Sequence, residues 1–252
     1  MGDVSAYRQQ TRSSEQQIAN RSALVDAFES SSLPTDQKLI NLGLFMRSGA
    51  FAKLLFLNEI YEQIIRVPGD IAEFGCWWGQ SLVTFLNLRA VHEPYCNRKV
   101  IGFDTFSGYP APSGVDKHSD TIKVGGYTVS DDYLPSLTRL LEYHERENVL
   151  AHINKFALVK GDVTETAAKY YEDHPEALVA LAFFDLALYE PTKAALLAIK
   201  DRLVKGSILA FDELADADYP GETKAAQEVI GLRNTELIRS RFLPARCYMI
   251  IR

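Results

Sequence analysis

The sequence predicts an α/β protein with five parallel strands and a C-terminal antiparallel hairpin, preceded by a helical extension. Three observations carry this expectation. From residue 71 onward, short apolar runs alternate with amphipathic runs, the pattern of βα units and a parallel sheet. The last two apolar runs are separated only by residues 243–246, too few for a crossover, so that pair is antiparallel. The composition, 47% hydrophobic and 24% charged over 252 residues, matches the average soluble globular chain at about 45–50% and about 25%. The length allows one large domain or two small ones, either with a real core.

Taken in order, residues 5–32 are rich in Gln, Ser and Arg, with a weak apolar rhythm at Leu24, Val25 and Phe28 that ends at Leu33-Pro34. They read as a loosely held helical arm. A second helical stretch is expected from residue 35 to about 66, where Leu39, Ile40 and Leu42, then Leu54, Leu57, Ile60, Tyr61 and Ile64, recur at helical spacing. Val67-Pro68-Gly69 stops it. The expected organisation is therefore an arm and helix over 1–67 and one α/β domain over 68–252. Its strands are expected at 71–74, 100–103, 156–159, 178–184 and 207–211, with the closing pair at 237–242 and 247–251. Helices are expected between them at 81–92, 137–148, 164–172, 192–203 and 223–232. Five parallel strands closed by a hairpin is the outline of a Rossmann-like class I methyltransferase sheet, whereas a dinucleotide-binding domain would end with a further βα unit.

One segment breaks the rhythm. Residues 105–135 hold about thirty residues rich in Gly, Pro, Ser, Asp and Tyr, where βα loops usually take about 2–6. The segment follows the carboxyl end of a strand, where open α/β sheets bind ligands, and is read as an inserted active-site lid.

Charge and composition exclude several classes. The chain carries 27 basic and 33 acidic residues, a net charge of −6, with the basic residues scattered, so no nucleic-acid partner is expected. No apolar stretch approaches the ~20 residues of a membrane span, and residues 1–14 lack the apolar core of a secretory signal. Cys76, Cys96 and Cys247 are widely spaced without a C-x-x-C pair, which argues against a disulfide framework or a zinc site. A cytoplasmic protein without a membrane partner is expected, assembled as a homo-oligomer.

The chemistry concentrates at strand ends. The first strand runs into Glu73-Phe74-Gly75-Cys76-Trp77-Trp78-Gly79-Gln80-Ser81, where Gly75 and Gly79 permit a sharp turn close to a ligand and Ser81 can cap the next helix. The spacing is E-x-G-x-x-x-G, not the G-x-G-x-x-G that seats a pyrophosphate, so NAD is disfavoured. The second strand ends at Asp104, placed where such folds bind ribose hydroxyls. Gly161-Asp162 adds a polar group at the third strand's end. A nucleoside site is the better reading than three capping residues. Its expected cofactor-binding residues are Glu73, Phe74, Gly75, Gly79, Ser81, Asp104, Thr105, Phe106, Asp162 and Asp185.

The segments Glu73 to Ser81, Phe103 to Gly108, Phe184 to Thr192, Phe211-Asp212-Glu213 and Pro220-Gly221-Glu222-Thr223 resemble the macrocin O-methyltransferase family, from about Pro68 to the end of the chain. The resemblance implies a class I enzyme that transfers a methyl group from S-adenosylmethionine to a sugar hydroxyl, with a small-molecule glycoside of an antibiotic or related product as acceptor. It also implies a divalent metal, Mg²⁺ by its oxygen ligands, on Asp185, Asp212 and Glu213, and three hard carboxylates at adjacent strand ends suit that ion without the analogy. The sequence departs from the family where a second Asp is the proposed general base: Ala187 stands there. The metal alone then acidifies the hydroxyl, with Asp185 holding it, or a base comes from His118, Asp216 or Asp218. The runner-up is an O-methyltransferase for a phenolic or catechol hydroxyl, whose vicinal oxygens would chelate the same metal; the rivals are a non-catalytic nucleoside-binding protein and a nicotinamide oxidoreductase. His92, His144, His152 and His174 read as surface residues, and Tyr109, Tyr127, Tyr133 and Tyr219 as candidate walls of an apolar pocket.

Overall fold

A computed structural model describes residues 13–117, 119 and 122–252. Among them, seven strands form one sheet in the order β3-β2-β1-β4-β5-β7-β6. The strands are β1 (Asp70–Phe74), β2 (Val100–Asp104), β3 (Phe156–Lys160), β4 (Val179–Phe184), β5 (Leu203–Phe211), β6 (Leu237–Arg239) and β7 (Cys247–Ile250). The first five pair in parallel, and β7 runs antiparallel to both β5 and β6. The α/β class, the five parallel strands and the closing hairpin are therefore as expected from the sequence.

Helices α1 (Glu15–Glu29), α2 (Thr35–Ile40), α3 (Ser48–Ile64), α4 (Gln80–His92), α5 (Tyr133–Arg146), α6 (Val163–Asp173), α7 (Tyr189–Ile199) and α8 (Pro220–Val229) complete the described chain. The strand side chains alternate between two cores. Ile71, Leu181, Phe183, Ile208 and Ala210 point to the side of α3 and α4, while Ala72, Phe74, Ala182, Phe184, Leu209 and Phe211 point to the side of α6, α7 and α8. Alternation follows from the two-residue period of a strand, and apolar residues on both faces follow from helices covering both.

Several boundaries differ from the sequence reading. The stretch expected as one helix over 35–66 is divided into α2, a 3₁₀ turn Leu42–Leu44 and α3, with Arg47 extended at φ −73°, ψ 152° ahead of α3. Helix α3 buries Phe56, Leu57, Ile60, Tyr61 and Ile64 in the same core as the sheet, whereas α1 and α2 bury nothing. The long loop ends at 132, because Pro135 lies in the first turn of α5, a position that tolerates proline. Strand β6 stops at Arg239; just beyond it the Ser240 N–H donates to the Arg246 carbonyl at 3.0 Å and the Ser240 hydroxyl to Glu59 at 2.6 Å. Among the described residues no helix is long and apolar enough to cross a membrane.

Candidate active site

The strand order reverses between β1 and β4, which places a crevice at their carboxyl ends. Gly75 leaves β1 at φ 90°, and a Cβ there would lie 2.0 Å from the Asp185 carbonyl oxygen. Only glycine lets the two strand ends come so close. Asp104 fastens this turn to β2: its Oδ2 accepts from the backbone N–H of Cys76 at 2.7 Å and of Trp77 at 2.9 Å, and its Oδ1 from Phe106 at 2.6 Å. A carboxylate offers about four lone-pair positions, so one remains for a ligand hydroxyl. Burial pushes the Asp104 carboxyl up, against the pull of these three N–H groups.

Glu73 is buried beside the same turn, and its Oε2 has no hydrogen-bond partner. Burial holds its carboxyl well above the usual range. An unpartnered buried carboxyl oxygen at the cavity wall is a standing demand for a donor or a cation. Asp162 caps α6, accepting from the Thr164 N–H at 2.9 Å and hydroxyl at 2.7 Å.

Asp185 at the end of β4 and Asp212 and Glu213 at the end of β5 form one cluster, with an oxygen from each within 4.8 Å of the others. Glu213 Oε2 is buried without a partner. Two cations already compensate the other carboxylates. Lys53 Nζ from α3 lies 3.3 Å from Asp185 Oδ2. Arg246, ahead of β7, grips Asp212 with both prongs, Nε to Oδ1 at 2.6 Å and Nη2 to Oδ2 at 2.5 Å. Burial and the neighbouring Asp185 push Asp212 up to about 6. Burial alone would lower the Lys53 ammonium, but Asp185, Asp212 and Glu73 together raise it above its usual range. Three oxygen donors, one of them unpartnered, fit a hard divalent cation, which would share Asp212 with Arg246.

Beneath the cluster, Glu222 of α8 is fully buried. Its Oε1 accepts from the N–H of Leu186 at 3.2 Å and Ala187 at 3.3 Å, and its Oε2 from the N–H of Glu213 at 3.0 Å. One side chain thus spans the β4 and β5 ends. Gly221 is required beside it, because a Cβ there would lie 2.5 Å from the Ala187 carbonyl oxygen.

Glu73, Asp104, Asp162, the Asp185–Asp212–Glu213 cluster, Lys53 and Arg246 line a single cavity of about 1100 Å³ together with Trp77, Tyr109, Tyr127 and Tyr219. The loop 105–132 forms part of its wall through Thr105, Gly108, Tyr109, Pro110 and Tyr127. It is held by paired backbone bonds between Tyr109 and Gly125 and Gly126, by the Tyr127 ring 5.6 Å from Trp77, and by Asp116, whose Oδ1 accepts from the Tyr189 N–H at 2.9 Å.

The family model described as macrocin O-methyltransferase matches residues 48–236. The chain belongs to the macrocin O-methyltransferase family. It is therefore an O-methyltransferase, and the match begins at α3, ahead of the Pro68 at which the motif resemblance starts. The calicheamicin methyltransferase CalS11 is similar at 39% identity and a TM-score of 0.92 over 99% of this chain and 97% of the other. A ligand-free structure of CalS11, described as a TDP-rhamnose 3′-O-methyltransferase, gives 37% and 0.84 over 98% of each chain. The O-methyltransferase NovP, at 20% identity and 0.60 over 79% of each chain, shares the fold. No curated protein sequence matches the chain.

In this family member, Glu73, Gly75, Ser81, Asp104, Thr105, Asp162, Asp185, Asp212, Glu213 and Asp216 all line the cavity, as the sequence suggested they would converge. Three expected cofactor residues do not. Phe74 is stacked in the core between Phe103 and Phe184, Phe106 is buried in the opposite core, and Gly79 turns the chain into α4 at φ 76° without reaching the cavity. Among the candidate bases, Asp216 lines the cavity and Asp218 does not; His118 lies outside the described residues. Ala187 is buried at φ 61° and is not part of the lining. Two of the four histidines read as lone surface groups have ring partners: His92 stacks on Tyr61 and His174 on Tyr170. Sequence reading missed Lys53, Arg246 and Glu222. Lys53 interrupts an apolar helix, Arg246 lies in a turn, and only Glu222 carried a signal, as part of the P-G-E-T motif.

Proposed function

We propose that this O-methyltransferase uses S-adenosylmethionine to methylate a sugar hydroxyl in natural-product biosynthesis, with a divalent cation held by Asp185, Asp212 and Glu213. The observation that carries the reading is the convergence, in one cavity, of a nucleoside-type turn around Gly75 and a three-carboxylate cluster. The similarity to CalS11 supports the sugar, since that protein is described as acting on TDP-rhamnose. A phenolic acceptor has no comparable support.

When bound, the cofactor supplies an electrophilic methyl group on its sulfonium, and Mg²⁺ would supply charge that lowers the pKa of an adjacent oxygen. The rest falls to this chain. Asp104 and the 75–79 turn orient the nucleoside, while the unpartnered Glu73 oxygen receives a donor of the cofactor. Lys53 and Arg246 limit repulsion among the carboxylates and keep their oxygens in place. Asp216, which lines the cavity, is assigned to take the hydroxyl proton. The loop 105–132 acts as the lid, with Tyr109 and Tyr127 excluding water so that orientation and desolvation favour transfer. We further propose a homo-oligomer in which a second copy covers Leu39, Ile40 and Leu44, which are 71%, 75% and 67% exposed.

Titration calorimetry with S-adenosylhomocysteine, with and without Mg²⁺, followed by methylation of a sugar panel in the presence and absence of EDTA, tests the reading. Binding of S-adenosylhomocysteine and EDTA-sensitive sugar methylation are expected. Full activity in excess EDTA would remove the metal, and methylation of catechols but not sugars would replace the acceptor.

A further inference from the structure

Asp212 is the member of the carboxylate cluster whose two oxygens are both engaged by a cation. Arg246 donates from Nε to Oδ1 at 2.6 Å and from Nη2 to Oδ2 at 2.5 Å, the paired geometry in which a guanidinium matches a carboxylate. The neighbouring carboxylates are open by comparison. Lys53 holds Asp185 by Oδ2 alone, and Glu213 Oε2 has no partner. Among the described residues Asp212 is the one hydrogen-bond acceptor of the Arg246 guanidinium, which also lines the cavity. The turn that carries Arg246 is fastened elsewhere. The Ser240 hydroxyl accepts from the N–H of Phe242 at 3.1 Å and of Leu243 at 3.2 Å and donates to Glu59 of α3 at 2.6 Å, while the Ser240 N–H donates to the Arg246 carbonyl at 3.0 Å. The turn therefore keeps its shape without the Arg246 side chain. That side chain is 27% exposed against 7% for Asp212, so of the two partners the guanidinium has the room to move. Charge points the same way. With its three carboxylates ionised the cluster carries −3, and Lys53 and Arg246 bring it to −1. A divalent cation added to both would leave +1, and like charges repel strongly where solvent screens them poorly.

We propose that Arg246 competes with the divalent cation for Asp212, so that its fork loosens as the three carboxylates take the cation. This rests on the cation reading above and adds what sets the affinity. Lone pairs remain on Asp212 beyond the two that Arg246 uses, so the contest is one of charge: guanidinium and cation draw on the same carboxylate and repel each other. Lys53 is the lesser competitor, because it makes one contact, at 3.3 Å, and stands on α3, which Phe56, Leu57 and Ile60 fix in the core. Arg246 thus holds Asp212 in place before the cation arrives and lowers the affinity with which it is then held. The cation is one that exchanges with solvent, not one built into the fold.

The test is titration of the full chain, treated with EDTA and dialysed, with Mn²⁺, the free ion being followed by electron paramagnetic resonance. Arg246→Gln, Arg246→Lys and the double variant Arg246→Gln with Asp212→Asn are compared with the parent. Arg246→Gln should bind Mn²⁺ about tenfold or more tightly than the parent, the scale of one charge-assisted hydrogen bond. Arg246→Lys, which keeps the charge without the fork, should fall between the two, and the double variant should lose the gain because Asp212 is where the contest lies. Equal or weaker binding by Arg246→Gln overturns the competition and leaves Arg246 as a prop for Asp212. A gain that survives in the double variant overturns it as well. Absence of Mn²⁺ binding by the parent and by every variant overturns the cation reading itself, and the competition with it. Should Arg246→Gln fail to fold by circular dichroism, Arg246→Lys carries the test: saturating Mn²⁺ should raise its unfolding midpoint by more than it raises the parent's, and an equal or smaller rise overturns the competition.

Discussion

Glu222 offers the most direct test of how the cluster is built. Its carboxylate accepts three backbone N–H groups, from Leu186, Ala187 and Glu213, at 3.2, 3.3 and 3.0 Å. Glu222→Ala leaves three donors without acceptors at positions of low exposure. At about 1–3 kcal/mol for each unsatisfied buried group, and with water restoring one of them, the loss is about 2–6 kcal/mol. That is a large share of the ~5–15 kcal/mol that holds a typical domain together. Glu222→Gln keeps the volume and one acceptor but turns an amide toward a backbone donor, for a loss of about 1–3 kcal/mol. The two variants also differ from the parent in pH dependence. Burial pushes the Glu222 carboxyl up to about 8 from 4.5, with Asp212 and Asp185 adding and the backbone donors opposing. The folded chain therefore keeps a proton that the unfolded chain releases near pH 4.5. This contribution to stability is complete below that pH and is lost as pH rises toward 8. Thermal unfolding followed by circular dichroism in EDTA should show the parent losing stability between pH 6 and pH 8, and Glu222→Gln losing less. Equal pH slopes in the two proteins, or a change under about 1 kcal/mol in Glu222→Ala, would refute the reasoning.

Three further outcomes are expected. Asp104→Asn should weaken S-adenosylhomocysteine by about 1.5–3 kcal/mol in calorimetry with the melting temperature nearly kept; the Ala variant is a poorer probe, because Asp104 also holds the N–H groups of Cys76, Trp77 and Phe106. Gly75→Ala, with a Cβ 2.0 Å from the Asp185 carbonyl oxygen at φ 90°, should cost about 2–6 kcal/mol through strain and overlap, and a stable Gly75→Ala protein with normal cofactor affinity would contradict the close approach of β1 and β4. Asp116→Ala removes the acceptor for the Tyr189 N–H, so limited proteolysis should cut the 105–132 loop faster than in the parent, and S-adenosylhomocysteine with acceptor should slow the cut in the parent more than in the variant.

The strand ends were legible in the sequence because each obeys a local rule. An apolar run that closes on Gly75, Asp104, Asp162, Asp185 or Asp212 marks both a β-strand and its carboxyl edge, and a parallel sheet brings such edges together without further information. What decides the charge state of the site obeys no such rule. Lys53 reaches Asp185 across 132 positions of sequence and Glu222 reaches Leu186 across 36, and neither spacing has a period that a helix or strand would impose. The same limit explains the misplaced aromatics. Phe74 stands between Glu73 and Gly75 in the sequence, yet alternation along β1 sends it into the core between Phe103 and Phe184 while Glu73 faces the cavity. Ala187 makes the converse point. Its neighbours Leu186 and Leu188 line the cavity and it does not, so alanine here spares buried Glu222, which accepts from the Ala187 N–H at 3.3 Å, a second carboxylate close by. A base is then sought among the cavity carboxylates, and Asp216 is the proposed one because it lines the cavity outside both the Asp185–Asp212–Glu213 cluster and the Asp104 turn.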